Sequence, residues 1–277
     1  MGRTARRLIG PAGVAGVVLG GMSGAVAAGP SWDWQLSAPF ELSRALEIIG
    51  LDPDNHTRRD IAALAARGIT TVCYVSVGTV EEYRADAGAF PESVIGKVYD
   101  DWPDERFLDI RRRDLLLPIM RTRFERCRAM GFAAVEPDNQ DVHSNDSGFP
   151  VRRADTLAYL SELATMAHGM GLRIGQKNVP DLTEALVGRM DFVITESCHD
   201  DGWCAEVLAY ARAGKPVLAA EYTDTRVDFA AACAWGAIHG ASFILKDRDL
   251  TRSLKTCPRR RPECPQSSRT EPLSPRI

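Results

Sequence analysis

The chain is 277 residues long, 45% hydrophobic and 26% charged, a composition that suits a globular fold and excludes disordered, collagenous and multi-span membrane classes. Its net charge of −3 is uneven: residues 1–30 carry +3, and residues 251–277 carry seven basic against two acidic side chains, so the body between them carries −11. Nucleic acid, whose phosphates need a basic face, is therefore not an expected partner, whereas a cationic ligand suits such a body.

Residues 1–28 combine a basic start (Arg3, Arg6, Arg7), an apolar run from Leu8 to about Leu19 and the small residues Ala25 to Ala28, the pattern of a signal peptide. The run is broken by glycine and proline and falls short of the roughly 20 residues a membrane span needs. Cleavage near Ala27 or Ala28 would leave a secreted protein with no membrane segment, and the Arg6-Arg7 pair also fits twin-arginine export. Export makes the seven cysteines candidates for pairing, with at least one left over. Cys198 and Cys204 are close enough to close a small loop, and Cys233, in an apolar run, is expected as a buried free thiol. No C-x-x-C occurs, so zinc has no support.

From residue 41 onward, short β-branched or apolar runs alternate with helical stretches, as in βα units around a parallel sheet. Strands are predicted over 46–51, 70–75, 106–110, 133–137, 172–176, 192–195, 217–220 and 242–245, with helices over 58–67, 115–130, 154–169 and 205–213. Gly68, Gly131, Gly171 and Gly214 stand where helices end and the chain resets for a strand. Eight such units in residues 29–250 predict a TIM-type (β/α)8 barrel. The competing open doubly wound sheet lacks its glycine-rich phosphate turn here. Residues 76–105 form a long insertion of the kind that often carries function. Residues 251–277, rich in Pro, Ser and Arg, are expected to be a disordered basic tail.

In a parallel barrel the chemistry gathers at the carboxyl ends of the strands. Those ends read Asp52; Tyr74 and Ser76; Asp109; Glu136 and Asp138; Lys177 and Asn178; Glu196; Glu221 and Tyr222; Lys246 and Asp247. A lone carboxylate at a strand end is usually a solvated group, but several around one mouth would perturb each other's ionisation and supply the acid/base pair that glycosidic hydrolysis needs. In Gly131 to Asn139, Glu136 and Asp138 are two apart on extended chain and point the same way; an Asx-type turn would explain Asp138 and Asn139 but not Glu136. Glu196 ends another apolar strand, so Asp138 and Glu196, on the fourth and sixth strands, would face each other. The five histidines show no metal-ligand spacing and no G-x-S-x-G occurs. Trp32, Trp34 and Trp102 have apolar faces that could stack on sugar rings but are core residues by default, with Trp34 a candidate to line the site.

With these residues in view, the chain resembles glycoside hydrolase family 114, the endo-α-1,4-polygalactosaminidases. The likeness rests on Trp32 to Leu36, Cys73 to Gly78, Gly131 to Asn139 with Asp141, Asn145 and Gly148-Phe149, then Lys177-Asn178, Glu196 to Cys198, Glu221-Tyr222 and Ile244 to Leu250. It implies a barrel hydrolase that cuts internal α-1,4 bonds in a galactosamine-containing polysaccharide, with Asp138 and Glu196 as catalytic carboxylates, expected as nucleophile and general acid/base or with these roles swapped. Trp34, Asp52, Tyr74, Glu136, Asn139, Asp141, Lys177, Asn178, Glu221 and Tyr222 are the expected substrate-binding residues. His143 and Gln176 depart from the family pattern, as does Arg84-Ala85-Asp86. No cofactor or metal is expected, and a monomer is. A non-catalytic carbohydrate-binding barrel and a chitinase-like glycosidase are the alternatives.

Overall fold

The computed structural model describes residues 29–100 and 102–258; the expected signal peptide lies outside them, as does the tail beyond Pro258. In chain order the strands are β1 (Trp32–Gln35), β2 (Ile48–Leu51), β3 (Thr70–Ser76), β4 (Thr79–Glu81), β5 (Ile95–Tyr99), β6 (Trp102–Leu108), β7 (Ala134–Asp138), β8 (Arg173–Lys177), β9 (Phe192–Glu196), β10 (Val217–Tyr222), β11 (Ala241–Lys246) and β12 (Lys255–Thr256). The helices are α1 (Arg58–Ala66), α2 (Arg113–Met130), α3 (Arg153–Gly169), α4 (Thr183–Leu186), α5 (Leu208–Arg212) and α6 (Phe229–His239).

Eight parallel strands run in the order β1-β2-β3-β7-β8-β9-β10-β11, with β12 added antiparallel to β11, and make the expected (β/α)8 barrel. Its membership differs from the expectation at one strand. Residues 106–110 do not join the barrel: β6 lies in a separate three-stranded antiparallel sheet, β4-β6-β5, built by the insertion. The missing barrel strand is β1, which a sequence reading passes over because it is four residues long and carries Asp33 and Gln35. Both are buried, and Asp33 is neutralised by Lys246 Nζ at 2.9 Å and by Arg44 at 2.6 Å. Because one strand is gained and one lost, β7 and β9 are still the fourth and sixth of the barrel.

Strand alternation sorts the apolar residues into two layers. One side chain of each adjacent pair fills the barrel: Trp32 and Trp34, Val72, Ala134, Phe192 and Ile194, Leu218 and Ala220, and Ile244. Its neighbour faces the helices: Cys73, Val135, Ile174, Val193 and Ala219 pack with Leu116, Phe124, Leu160 and Leu163. A Cβ on Gly175 would meet the Phe192 ring at 2.4 Å, so β8 can carry only glycine where Phe192 fills the interior. Between β11 and β1, side chains help close the barrel: Trp32 Nε1 donates to the Ser242 carbonyl at 2.9 Å, beside the Lys246–Asp33 pair.

Helix ends follow the expected punctuation, and Gly131 caps α2 at φ 98°, a conformation that costs other residues roughly 1–2 kcal/mol. Disulfides join Cys73 to Cys127, Cys198 to Cys204 and Cys233 to Cys257. The third overturns the free-thiol expectation: Cys233 is only partly buried on α6 and meets the chain just after β12. That segment, expected to be disordered from residue 251, is held to the barrel through β12 and this bridge. With six of seven cysteines paired, protein denatured without reductant should titrate one thiol per chain, Cys264; three or more would contradict the pairing.

Candidate active site

The inward-facing residue at the end of each strand is polar where its predecessors are apolar. On β7 these are Glu136 and then Asp138, on β8 Lys177, on β9 Glu196, on β10 Tyr222 and on β3 Tyr74 and Ser76. Lys177 is the hub. Its ammonium lies 2.7 Å from Asp138 Oδ1, 3.0 Å from Glu196 Oε2 and 3.3 Å from Glu136 Oε1, and 4.5 Å from the centre of the Trp34 ring. Burial alone would drive the lysine to its neutral form, yet Asp138, Glu196 and Glu136 outweigh it and hold the ammonium charged well above its usual range.

The three carboxylates differ in exposure. Glu136 is sealed beneath the lysine at 1%, while Asp138 and Glu196 expose 18% and 29% of their side chains. Burial pushes Glu136 up to about 8 against the pull of Lys177, so it is largely neutral at pH 7. Burial also opposes ionisation of Glu196, but Lys177, the Tyr222 hydroxyl donating to Oε1 and Asn178 Nδ2 donating to Oε2 at 3.2 Å together bring it below its ordinary value. The nearest oxygens of Asp138 and Glu196 share one ammonium, so they can be no further apart than its two contact distances end to end.

Three of these strands, β7, β8 and β9, leave the site through a strained residue: Asn139 after Asp138, Asn178 after Lys177 and Ser197 after Glu196 have φ of 57°, 51° and 52°. Non-glycine residues in the left-handed region cluster at functional sites and persist only when their surroundings hold them. Here the surroundings are visible. Asn178 Oδ1 accepts from the Glu196 amide at 2.9 Å, and Asn139 Nδ2 donates to Ser76 Oγ at 3.0 Å, Thr79 Oγ1 at 2.9 Å and Glu105 Oε2 at 3.1 Å.

These groups open onto a cleft of about 860 Å³. Of the residues expected to bind substrate, Trp34, Asp52, Tyr74, Asn139, Asp141, Lys177, Asn178 and Tyr222 line it together with Asp138 and Glu196. Asp52 is already engaged by Arg84 at 2.8 Å, and burial raises Asp141. Glu136 lies under the floor and reaches the cleft only through Lys177. Glu221 falls outside: it precedes Tyr222 on β10 and so faces the opposite side, where its carboxylate accepts from the amides of His199 and Asp200 at 2.8 and 3.3 Å and braces the Cys198–Cys204 loop. Sequence reading missed Glu105, Thr79, Tyr83 and Tyr99 of the insertion, whose only signal was the insertion's length, and Arg248, stacked 3.6 Å from the Tyr222 ring centre.

Residues 21–261 match the family described as glycoside-hydrolase family GH114. The chain belongs to that family. It is a glycoside hydrolase. Among solved structures it is similar to Aspergillus fumigatus Ega3 in complex with galactosamine, at 30% identity over 85% of this chain and 98% of that one, with a TM-score of 0.78. The glycoside hydrolase domain of PelA from Pseudomonas aeruginosa shares the fold at 17% identity, over 82% of this chain and 99% of that one, with a TM-score of 0.66. No curated protein sequence matches the chain.

Replacing Lys177 by Met removes the counter-charge from three carboxylates at once. The pKa values of Glu136 and Glu196, which Lys177 pulls down, then rise, and the proton taken up in the folded state is lost as pH climbs, so the deficit grows with pH. The variant should lose roughly 3–5 kcal/mol at pH 8 and distinctly less at pH 5; a deficit flat across this range, in thermal melts of both proteins, would refute the arrangement.

Proposed function

We propose that this family member is an exported endo-acting hydrolase that cuts α-1,4 bonds between galactosamine units of a cationic polysaccharide, with Asp138 and Glu196 as its catalytic pair. The observation that carries the reading is the shared contact of both carboxylates with Lys177 Nζ, at 2.7 and 3.0 Å. It limits their nearest oxygens to less than the ~6.5–9.5 Å that separates the carboxyl groups of inverting enzymes, which supports the shorter spacing of retaining ones, about 5–5.5 Å. A free amino sugar has no acetamido oxygen to act as internal nucleophile, so the protein must supply both groups. Export is supported by the N-terminal pattern and by three disulfides. Among the described residues no helix is long and apolar enough to cross a membrane.

In this reading Asp138 attacks the anomeric carbon and forms an ester while Glu196 gives its proton to the departing glycosidic oxygen; Glu196 then takes a proton from water, whose oxygen displaces Asp138. Lys177, itself contacted from beneath by the largely neutral Glu136, holds Asp138 from below. Glu196 must gain a proton as substrate enters, because its three donors favour the ionised form. That donor set favours the reverse assignment, Glu196 as nucleophile, as a second reading.

Asp138→Asn and Glu196→Gln should each cut turnover of de-acetylated α-1,4-galactosamine polymer by at least ~10³-fold; parent-like rates in either would remove that residue from the chemistry. Alanine variants given azide and an activated substrate separate the roles: the acid/base variant yields a glycosyl azide of retained configuration and the nucleophile variant the inverted one.

The substrate charge is supported by the cleft lining, where eight carboxylic side chains face three cationic ones, Arg84, Lys177 and Arg248. N-acetylating the polymer removes its positive charge, so cleavage should slow and lose its salt sensitivity. Equal rates on acetylated and free-amine polymer, compared at low ionic strength, would rule out a cationic substrate.

A further inference from the structure

The insertion between β3 and α2 places a second set of groups beside the catalytic pair. It forms one wall of the cleft through Tyr99, Trp102, Asp104 and Glu105 of its sheet and Tyr83 of the turn after β4. Two of these are among the few large apolar side chains left in water: Tyr83 is 65% and Trp102 48% exposed. Such faces beside a cleft mark a binding surface more often than a solvent surface.

The wall is rigid. Tyr99 opposes Trp102 across β5 and β6, and its ring packs on Phe107 at 4.9 Å. The Tyr83 hydroxyl donates to Glu81 Oε1 at 2.7 Å, and the Arg84 guanidinium lies 5.1 Å from the centre of its ring. The wall is also keyed to the chemistry. Glu105 of β6 accepts from Asn139, the residue after Asp138, at 3.1 Å. At Gly78 the backbones come so close that a Cβ would lie 1.8 Å from the Asn139 carbonyl. Strand alternation puts Trp102 and Asp104 on the same exposed face of β6.

We infer that this insertion is a platform for sugars of the same polymer beyond the scissile bond, with Trp102 and Tyr83 stacking on their rings and Asp104 pairing with an ammonium group. This rests on the galactosamine reading above. A galacto-configured ring has an axial 4-hydroxyl, which leaves the C3, C4 and C5 hydrogens on one apolar face suited to an indole. On a de-acetylated sugar the amine at C2 stands at the edge of that face, within reach of a carboxylate on the same strand face. The platform acts on binding of long chains and not on the bond-breaking step.

The test compares a long de-acetylated α-1,4-galactosamine polymer with oligomers just long enough to be cut. Trp102→Ala should raise KM on the polymer roughly three- to tenfold at unchanged kcat, and leave the short oligomers unaffected. Trp102→Phe should keep most of the affinity. Val98→Ala, on the neighbouring strand and outside the cleft lining, should change neither, and thermal melts check that the sheet is intact. A folded Trp102→Ala enzyme with parent KM on the polymer, or with equal losses on both substrates, overturns the platform alone. A parent that cuts neither substrate overturns the galactosamine reading and the platform with it.

Discussion

One ammonium group stands where three carboxylates would otherwise repel each other. Lys177 is buried, and moving its charge out of water is compensated only because Asp138, Glu196 and Glu136 surround it. The compensation is reciprocal: without the lysine the two cleft-facing carboxylates would stand at close range with no cation between them. Glu136 adds an acid that burial holds mostly neutral, so the cluster carries less excess charge than its three acidic side chains suggest. Distances, ionisation and the position of the cleft floor all follow from this one contact set.

The barrel makes the cluster available by simple geometry. Because every second residue of a strand faces inward, the last inward position of each strand lies at the mouth, and there the sequence changes from apolar to polar. Left-handed residues immediately beyond these positions turn the chain away and leave the side chains pointing in. The insertion is docked to one of those turns through Glu105 and Gly78, so its aromatic wall has a fixed register to Asp138.

Much of this was legible in the sequence. Helix-ending glycines, apolar runs of strand length and the polar residues that close them located seven of the eight barrel strands and most of the cleft. What escaped has physical reasons. Strand β1 was hidden because it is short and because Lys246, one of the two cations that make buried Asp33 tolerable, lies far along the chain. Glu221 was misplaced because a one-residue step along a strand reverses its face, and nothing local distinguishes it from Tyr222. Glu105 was missed because its role exists only once the insertion has folded against Asn139, and Cys233 because its partner, Cys257, sits in a stretch whose composition reads as disordered.

The pair between Asp33 and Lys246 joins residues 213 positions apart. A nascent chain therefore carries its first strand for almost the whole length of the domain before Lys246, the second of the two cations that neutralise Asp33, has been made. Closure is late by construction, as in any topology dominated by distant contacts, and any premature end upstream of Lys246 leaves buried Asp33 with Arg44 but without its second cation. A protein built this way stays open through most of its synthesis.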